Sequence, residues 1–116
     1  MVLIDNKLDF KLFKNNNLKI NKNGIAYSKK NDRILFELDN NVFKLLMQDG
    51  HFELEKESND NIFKLNQEKA TIYLKEHDLL LPIIVEGFSI SNNNNKYIIT
   101  YQLETDDEHT TIEIIL

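Results

Sequence analysis

The sequence predicts an all-β protein, folded as a single antiparallel up-and-down barrel of about eight to ten strands. Apolar and polar residues alternate along most of the chain, and this alternation places one face of a pleated strand against a core. Short polar connections separate the alternating runs at a spacing of about eight to twelve residues, as in sandwiches and barrels. The connections are also too short for a crossover helix.

The alternating runs predict the strands in order. Their apolar positions are Leu8, Phe10 and Leu12; Ile34, Phe36 and Leu38; Phe52 and Leu54; Ala70, Ile72 and Leu74; Leu79, Leu81, Ile83 and Val85; Tyr97, Ile99, Tyr101 and Leu103; and Ile112 and Ile114. The dipeptide Asp49-Gly50 before Phe52 is a hairpin signal, so the run that follows is typical of a hairpin's second arm. Two short asparagine runs, 15–17 and 92–95, lie between strand patterns and indicate turns.

Two segments need a choice between alternatives. Val42, Leu45 and Leu46 follow helical spacing, but a helix of about eight residues would be marginal and Asp49-Gly50 favours a hairpin, so a strand is expected. Pro82 lies in the most apolar run of the chain, where a residue without N–H is confined to edges or bulges. A bulged strand at a barrel corner is expected there, with a subunit contact as the alternative.

Length and charge limit the domain count and the partners. A chain of 116 residues has room for one core, so residues 1–116 are expected to form one domain. The net charge is −5, and Arg33 is the only arginine. Nucleic-acid binding depends on clustered Lys and Arg, so it is not expected.

Compartment and membrane association follow from other features of the sequence. Cysteine is absent, so the fold must depend on packing without disulfides. The first residues lack the pattern of a secretory signal, and the longest apolar run, Leu79 to Val85, is far shorter than a membrane span. A cytoplasmic location without membrane association is therefore expected.

No motif in the sequence indicates catalysis, a cofactor or a metal. The three histidines, His51, His77 and His109, fall in predicted turns. With eleven predicted strands, His51 and His109 lie at one end of a meander and His77 at the other, which is incompatible with a three-histidine zinc site. We therefore assign no catalytic residue, no metal ligand and no cofactor.

The predicted inward face carries a stripe of five aromatic rings: Phe10, Phe36, Phe52, Tyr97 and Tyr101. Such a stripe usually means a packed core, but a barrel of this size can also enclose a small ligand. Arg33 falls on the outward parity, so no guanidinium is available for a buried carboxylate. Binding of a small apolar ligand inside the barrel, lined by these rings, is the first functional hypothesis.

A second hypothesis comes from apolar residues on the nominally outward parity. Phe43, Phe63 and Ile98 fall there, and a cluster of such residues would form a larger apolar patch than a monomer normally exposes. The alternative function is therefore protein–protein interaction or a homodimer that covers this patch.

Three stretches carry a resemblance to a known family. They are VFKLLMQDGHFELEK (Val42 to Lys56), ATIYLKEHDLLLP (Ala70 to Pro82) and KYIITYQLETDDEHTTIEI (Lys96 to Ile114). In this order they resemble the YwiB-like family of uncharacterised small bacterial proteins. Gln48 stands where that family commonly has an arginine. The resemblance implies a calycin-type (lipocalin-like) β-barrel and no activity that can be carried over.

Overall fold

Ten strands make up the fold in the computed structural model, which describes residues 6–48, 51–105 and 107–116. The strands are β1 (Lys7–Lys14), β2 (Asn17–Lys30), β3 (Arg33–Leu38), β4 (Asn41–Gln48), β5 (His51–Glu57), β6 (Asn61–Asn66), β7 (Lys69–Leu74), β8 (Leu79–Asn93), β9 (Lys96–Leu103) and β10 (His109–Ile115). The described residues contain no helix, and so none that could cross a membrane. The predicted all-β class is confirmed.

The strands form a closed antiparallel barrel in which each pairs with its neighbours in sequence. The ring closes where β1 pairs with β10, in a ladder that runs from Asp9 opposite Ile115 to Lys14 opposite Thr110. Since every other connection is a hairpin, the predicted up-and-down topology is confirmed.

Two strands, β2 and β8, are much longer than the rest because different parts of each pair with different neighbouring strands. The first part of β8 pairs with β7 as far as Ile84, and the part from Val85 onward pairs with β9. In the same way β2 pairs first with β1 and then, from Tyr27, with β3. The barrel therefore consists of two sheets that share β2 and β8 at its corners.

A glycine lies near each corner. Gly24 in β2 and Gly87 in β8 have φ of +69° and +60°, which L side chains adopt at a cost. Around Gly87 the pairing shifts by one residue, so that Gly87 and Phe88 lie opposite Tyr101 alone. This is a β-bulge, which bends and twists the strand that contains it. The bulge predicted in β8 therefore exists, but it lies at Gly87 and not at Pro82.

The interior is filled by apolar side chains from both sheets. The fully or nearly buried apolar residues are Leu8, Phe10, Ile34, Phe36, Leu38, Phe43, Leu45, Phe52, Leu54, Leu65, Ala70, Ile99, Tyr101, Ile112 and Ile114. They follow the two-residue alternation within each strand, for example along β3 and β10. The alternation that predicts the fold is the one that builds the core.

The asparagine runs and the segment Val42–Leu46 both behave as the sequence predicts. Residues 15–16, 39–40 and 94–95 all have positive φ, as two-residue type I′ hairpin turns require. Asparagine and aspartate adopt this conformation most readily after glycine. The helical alternative for 42–46 is wrong because these residues lie in β4; residues 49–50 lie outside the described part of the chain.

Candidate functional site

The two ends of the barrel differ in the residues that occupy the inward positions of the strands. The turns after β1, β3, β5, β7 and β9 lie at one end, which we call the upper end. Towards the lower end the inward positions are apolar, and Phe52 and Phe88 pack with ring centroids 5.5 Å apart. Towards the upper end the last inward residue of several strands is polar. The upper end of the barrel is therefore open, whereas the lower half is filled by apolar side chains.

A cavity of about 310 Å³, here called the upper cavity, opens at this end. It is lined by Leu12, Ile20, Leu38, Phe43, Leu54, Phe63, Ile72, Tyr101, Leu103 and Ile112 among the apolar and aromatic residues, and by Lys14, Asp39, Asn41, Lys56, Asn61 and Thr110 among the polar ones. An apolar wall with a few convergent polar groups is the usual composition of a small-molecule site, and the volume is near the lower limit for such sites.

Phe43 forms the floor of the upper cavity and belongs to a cluster of stacked aromatic rings. Phe43 lies parallel to Phe36, with ring centroids 5.0 Å apart and an interplanar angle of 6°. Phe10 packs against both rings, at 5.9 Å from Phe36 and 5.4 Å from Phe43. Because this cluster fills the middle of the barrel, a ligand in the upper cavity would rest on Phe43 and would not pass deeper.

Lys14 brings a positive charge into the mouth of the cavity. Its Nζ donates a hydrogen bond to Thr110 Oγ1 at 2.7 Å, and Thr110 is only 2% exposed. The two residues are cross-strand partners in the ladder that closes the barrel. The ammonium group of Lys14 is therefore held on the inner side of the mouth, against the wall formed by β10.

Lys56 lines the same cavity from the opposite sheet. It lies two residues beyond Leu54, on the inward parity of β5, and its cross-strand partners are Phe43 and Phe63. Its side chain is exposed, as expected for a residue at the rim. Lys14 and Lys56 thus approach the mouth from facing walls.

The turns around the upper rim are tied to one another by hydrogen bonds. Asn15 donates its backbone N–H to the carbonyl of His109 at 2.9 Å, and Asn15 Oδ1 accepts from the His109 N–H at 3.0 Å. Lys75 Nζ contacts Glu57 Oε2 at 2.8 Å and the Ser58 carbonyl at 2.9 Å. This bond from Lys75, with its positive charge, lowers the pKa of the Glu57 carboxyl below its usual 4.5.

Of the five rings predicted to line a cavity, the structure places Tyr101 in the upper cavity. Phe10, Phe36 and Phe52 are buried in the packed core, and Tyr97 is half-buried at the lower end of β9. None of these four lines the upper cavity. These four rings therefore belong to the packed interior, which is the usual meaning of such an aromatic stripe.

Two of the three predicted interface residues face inward, so the prediction is wrong for them. Phe43 is 5% exposed and Phe63 packs against the core, with its ring 6.4 Å from Tyr101. Apolar residues occupy both faces of β4 and β6, so the alternation pattern does not show which face points inward. The inward face is determined by cross-strand pairing, of Phe43 with Phe36 and of Phe63 with Ile72. Ile98 does face outward, between Ser91 and Glu113.

The two lysines of the mouth are absent from the sequence-based site. The signal for them is the same alternation that predicts the core: Lys14 continues the series Leu8, Phe10, Leu12, and Lys56 continues Phe52, Leu54. Arg33, the only arginine, is exposed on the outer face, as its parity predicts.

The placement of the histidines also needs correction. With ten strands, His77 and His109 lie at the upper end and His51 lies at the lower end, because one strand fewer precedes His109 than predicted. Within residues 6–48, 51–105 and 107–116, no three potential metal-ligating side chains cluster.

Two further surface features lie outside the barrel. A depression of about 810 Å³ on the outer face of β2 to β5 is larger than the upper cavity, and within its lining Lys44 Nζ lies 3.3 Å from Glu55 Oε2. The second feature is the β8 strip, residues 79–84, where four large apolar side chains are exposed: Leu79, Leu80, Leu81 and Ile84.

Comparison of the chain with protein-family models, with curated proteins and with solved structures returned no match.

Proposed function

We propose that the protein is a non-enzymatic binding module that takes a small ligand with an apolar body into the upper cavity. The observation that carries this proposal is a cavity of about 310 Å³ with an aromatic floor, at the open end of a barrel that is otherwise filled. Protein interiors are close-packed and contain few voids larger than a water molecule, so packing alone does not account for a cavity of this size.

The energetic argument is the removal of apolar surface from water. Burial of apolar area contributes roughly 25 cal/mol per Å², so affinity would come from the apolar surface of the ligand itself and from the partly buried lining residues Leu12, Ile20 and Phe63. The site is also preformed, because its walls are barrel strands and its rim turns are tied together by hydrogen bonds. A preformed site loses little conformational entropy on binding.

The test uses the neutral fluorescent probe N-phenyl-1-naphthylamine. Wild type should bind it saturably, and 1-octanol should displace it. Leu103→Trp fills the cavity with a larger side chain and should weaken probe binding by about tenfold or more. The matched control is Ile98→Trp on the outer face of the same strand, which should bind as wild type does. Absence of saturable binding to wild type, or equal binding by Leu103→Trp, contradicts the proposal.

Membership of the YwiB-like family and a cytoplasmic location belong to the same proposal. A ten-stranded closed barrel is compatible with the calycin-type fold that the resemblance implies. A chain without cysteine needs no oxidising compartment to fold.

The exposure of the β8 strip favours a second candidate function, self-association into a homodimer. Leu80 and Ile84 are 59% and 62% exposed, and no charged residue interrupts residues 79–85. In a protein of net charge −5, two copies that meet at this strip avoid like charges at the contact. Pro82 lacks the N–H that a continuous ladder would need, so the contact would involve side-chain faces and not a shared sheet.

Sedimentation velocity tests the second candidate. Wild type at high concentration should contain a dimer, and Ile84→Asp should dissociate it. Leu35→Asp, an exposed leucine on the outer face of β3, is the control and should leave the dimer intact. A wild type that stays monomeric at the highest soluble concentration contradicts this candidate.

A further inference from the structure

We propose that Phe43 sets the length of chain that the upper cavity accepts, so that its ligand carries an aliphatic chain of about eight carbons below a polar end group. The inference rests on the proposed function and names the size class and the orientation of its ligand. The chain points down towards Phe43, and the polar end lies at the mouth.

The first observation is that aromatic rings close the cavity from below. Phe43 lines the cavity, is 5% exposed and lies parallel to Phe36, with ring centroids 5.0 Å apart. Phe10 packs against both rings, at 5.9 Å and 5.4 Å. Further down, Phe52 and Phe88 pack against each other in the lower half. A chain that enters from the mouth therefore stops at Phe43.

The second observation is that the cavity is two side-chain layers deep. Six strands each contribute two successive inward positions to its lining, and such positions lie about 7 Å apart along a strand. The deeper position of each strand is apolar or aromatic: Leu12, Phe43, Leu54, Phe63, Tyr101 and Ile112. The position nearer the mouth is polar in five of the six strands: Lys14, Asn41, Lys56, Asn61 and Thr110. An apolar layer beneath a polar rim fits a chain that enters tail first.

The third observation is the volume of the cavity, about 310 Å³. A group the size of a water molecule occupies about 30 Å³ in a liquid, so the cavity has room for about ten non-hydrogen atoms. A hydroxyl group and a chain of about eight or nine carbons reach this number.

The length limit follows from the position that each added carbon would occupy. Every methylene that is removed from water raises affinity about fourfold. Carbons within the apolar layer obtain this gain. Once the end of the chain rests on Phe43, further carbons lie among the polar side chains of the mouth or in solvent, and they gain little. Affinity should therefore rise with chain length up to a break and then level off.

The experiment titrates unbranched 1-alkanols, from 1-pentanol to 1-undecanol, by displacement of N-phenyl-1-naphthylamine. Wild-type affinity should rise about fourfold per carbon up to about 1-octanol. Beyond the break each added carbon should change affinity by less than about twofold. All members of the series carry the same hydroxyl group, so the break reports chain length alone.

Variants at position 43 assign the break to the floor of the cavity. Phe43→Leu lowers the floor and should move the break to alkanols that are longer by about two carbons. Phe43→Trp raises the floor and should move the break to shorter alkanols. The matched control is Phe52→Leu, the same change at a buried ring that does not line the upper cavity, and it should leave the break in place. Circular dichroism establishes that each variant is folded, and Phe43→Leu keeps the inference testable if Phe43→Trp folds poorly.

The outcomes separate this inference from the proposed function. If no alkanol displaces the probe, both fail. If wild-type affinity rises without a break up to 1-undecanol, Phe43 does not limit the chain and only the apolar site stands. The same conclusion follows if the break in folded Phe43→Leu stays where it is in wild type, or if Phe52→Leu moves it equally.

Discussion

Phe43 shows how much depends on the direction of one side chain. It stacks on Phe36, contacts Phe10 and supports the floor of the upper cavity. Aromatic pairs of this kind contribute about 0.5–1.5 kcal/mol beyond the burial of their area. Outward placement would have made Phe43 an interface residue, whereas inward placement makes it part of both the core and the candidate site.

Truncation of Phe43 tests this placement. Phe43→Ala should lower the free energy of unfolding by about 3 kcal/mol or more, since a buried ring is lost and the cavity above it grows. Ile98→Ala, in the outward and half-buried position, should cost only about 1 kcal/mol. Urea denaturation followed by circular dichroism measures both. Equal losses for the two variants would show that Phe43 is not a core residue.

The alternation of inward and outward positions along each strand explains which site residues can be predicted from the sequence. Where one face of a strand is polar, as in β1, β3 and β5, alternation places Phe10, Phe36 and Phe52 inward without ambiguity. In β4 the neighbours Val42 and Phe43 are both apolar, so either could face the core. Only the cross-strand register distinguishes them, and register depends on partners distant in sequence.

At the scale of elements, the corner strands β2 and β8 are the least predictable part of the fold. Alternation in β8 is lost because Leu79 to Val85 is apolar on both faces and the bulge at Gly87 then shifts the parity by one residue. Nothing in the sequence marks the residue at which the pairing of β8 changes from β7 to β9. The hairpin turns are more predictable, because paired asparagines suit positive φ.

Gly87 offers a test of the corner in β8. An added Cβ there would meet no other atom within 4 Å, so the cost of a substitution comes from φ of +60° alone. Gly87→Val should destabilise the protein by about 1–2 kcal/mol, because a β-branched residue avoids this conformation. Gly87→Asn should cost clearly less. Thermal or urea unfolding compares them, and similar losses for Val and Asn would show that conformation is not the cause.

For the whole molecule, the sequence predicts the class and the topology because both follow from a pattern repeated in nearly every strand. A single miscounted strand leaves the class unchanged, yet it moves His109 to the opposite end of the barrel. The upper cavity depends on more than the pattern. Inward residues of many strands, including Lys14 and Thr110, line it at one end of the barrel. Which residues come together there depends on the register of the strands in the closed barrel.

The ladder between β1 and β10 joins residues far apart in the chain; Lys14 and Thr110, for example, are separated by 96 positions. During synthesis β1 emerges from the ribosome before the other nine strands and β10 after them, so β1 and β9 each have one unpaired edge until β10 has emerged. Unpaired edges invite pairing with other chains. The nascent chain is therefore most vulnerable to aggregation before β10 has emerged, and chaperones that shield nascent chains would act on it at that stage.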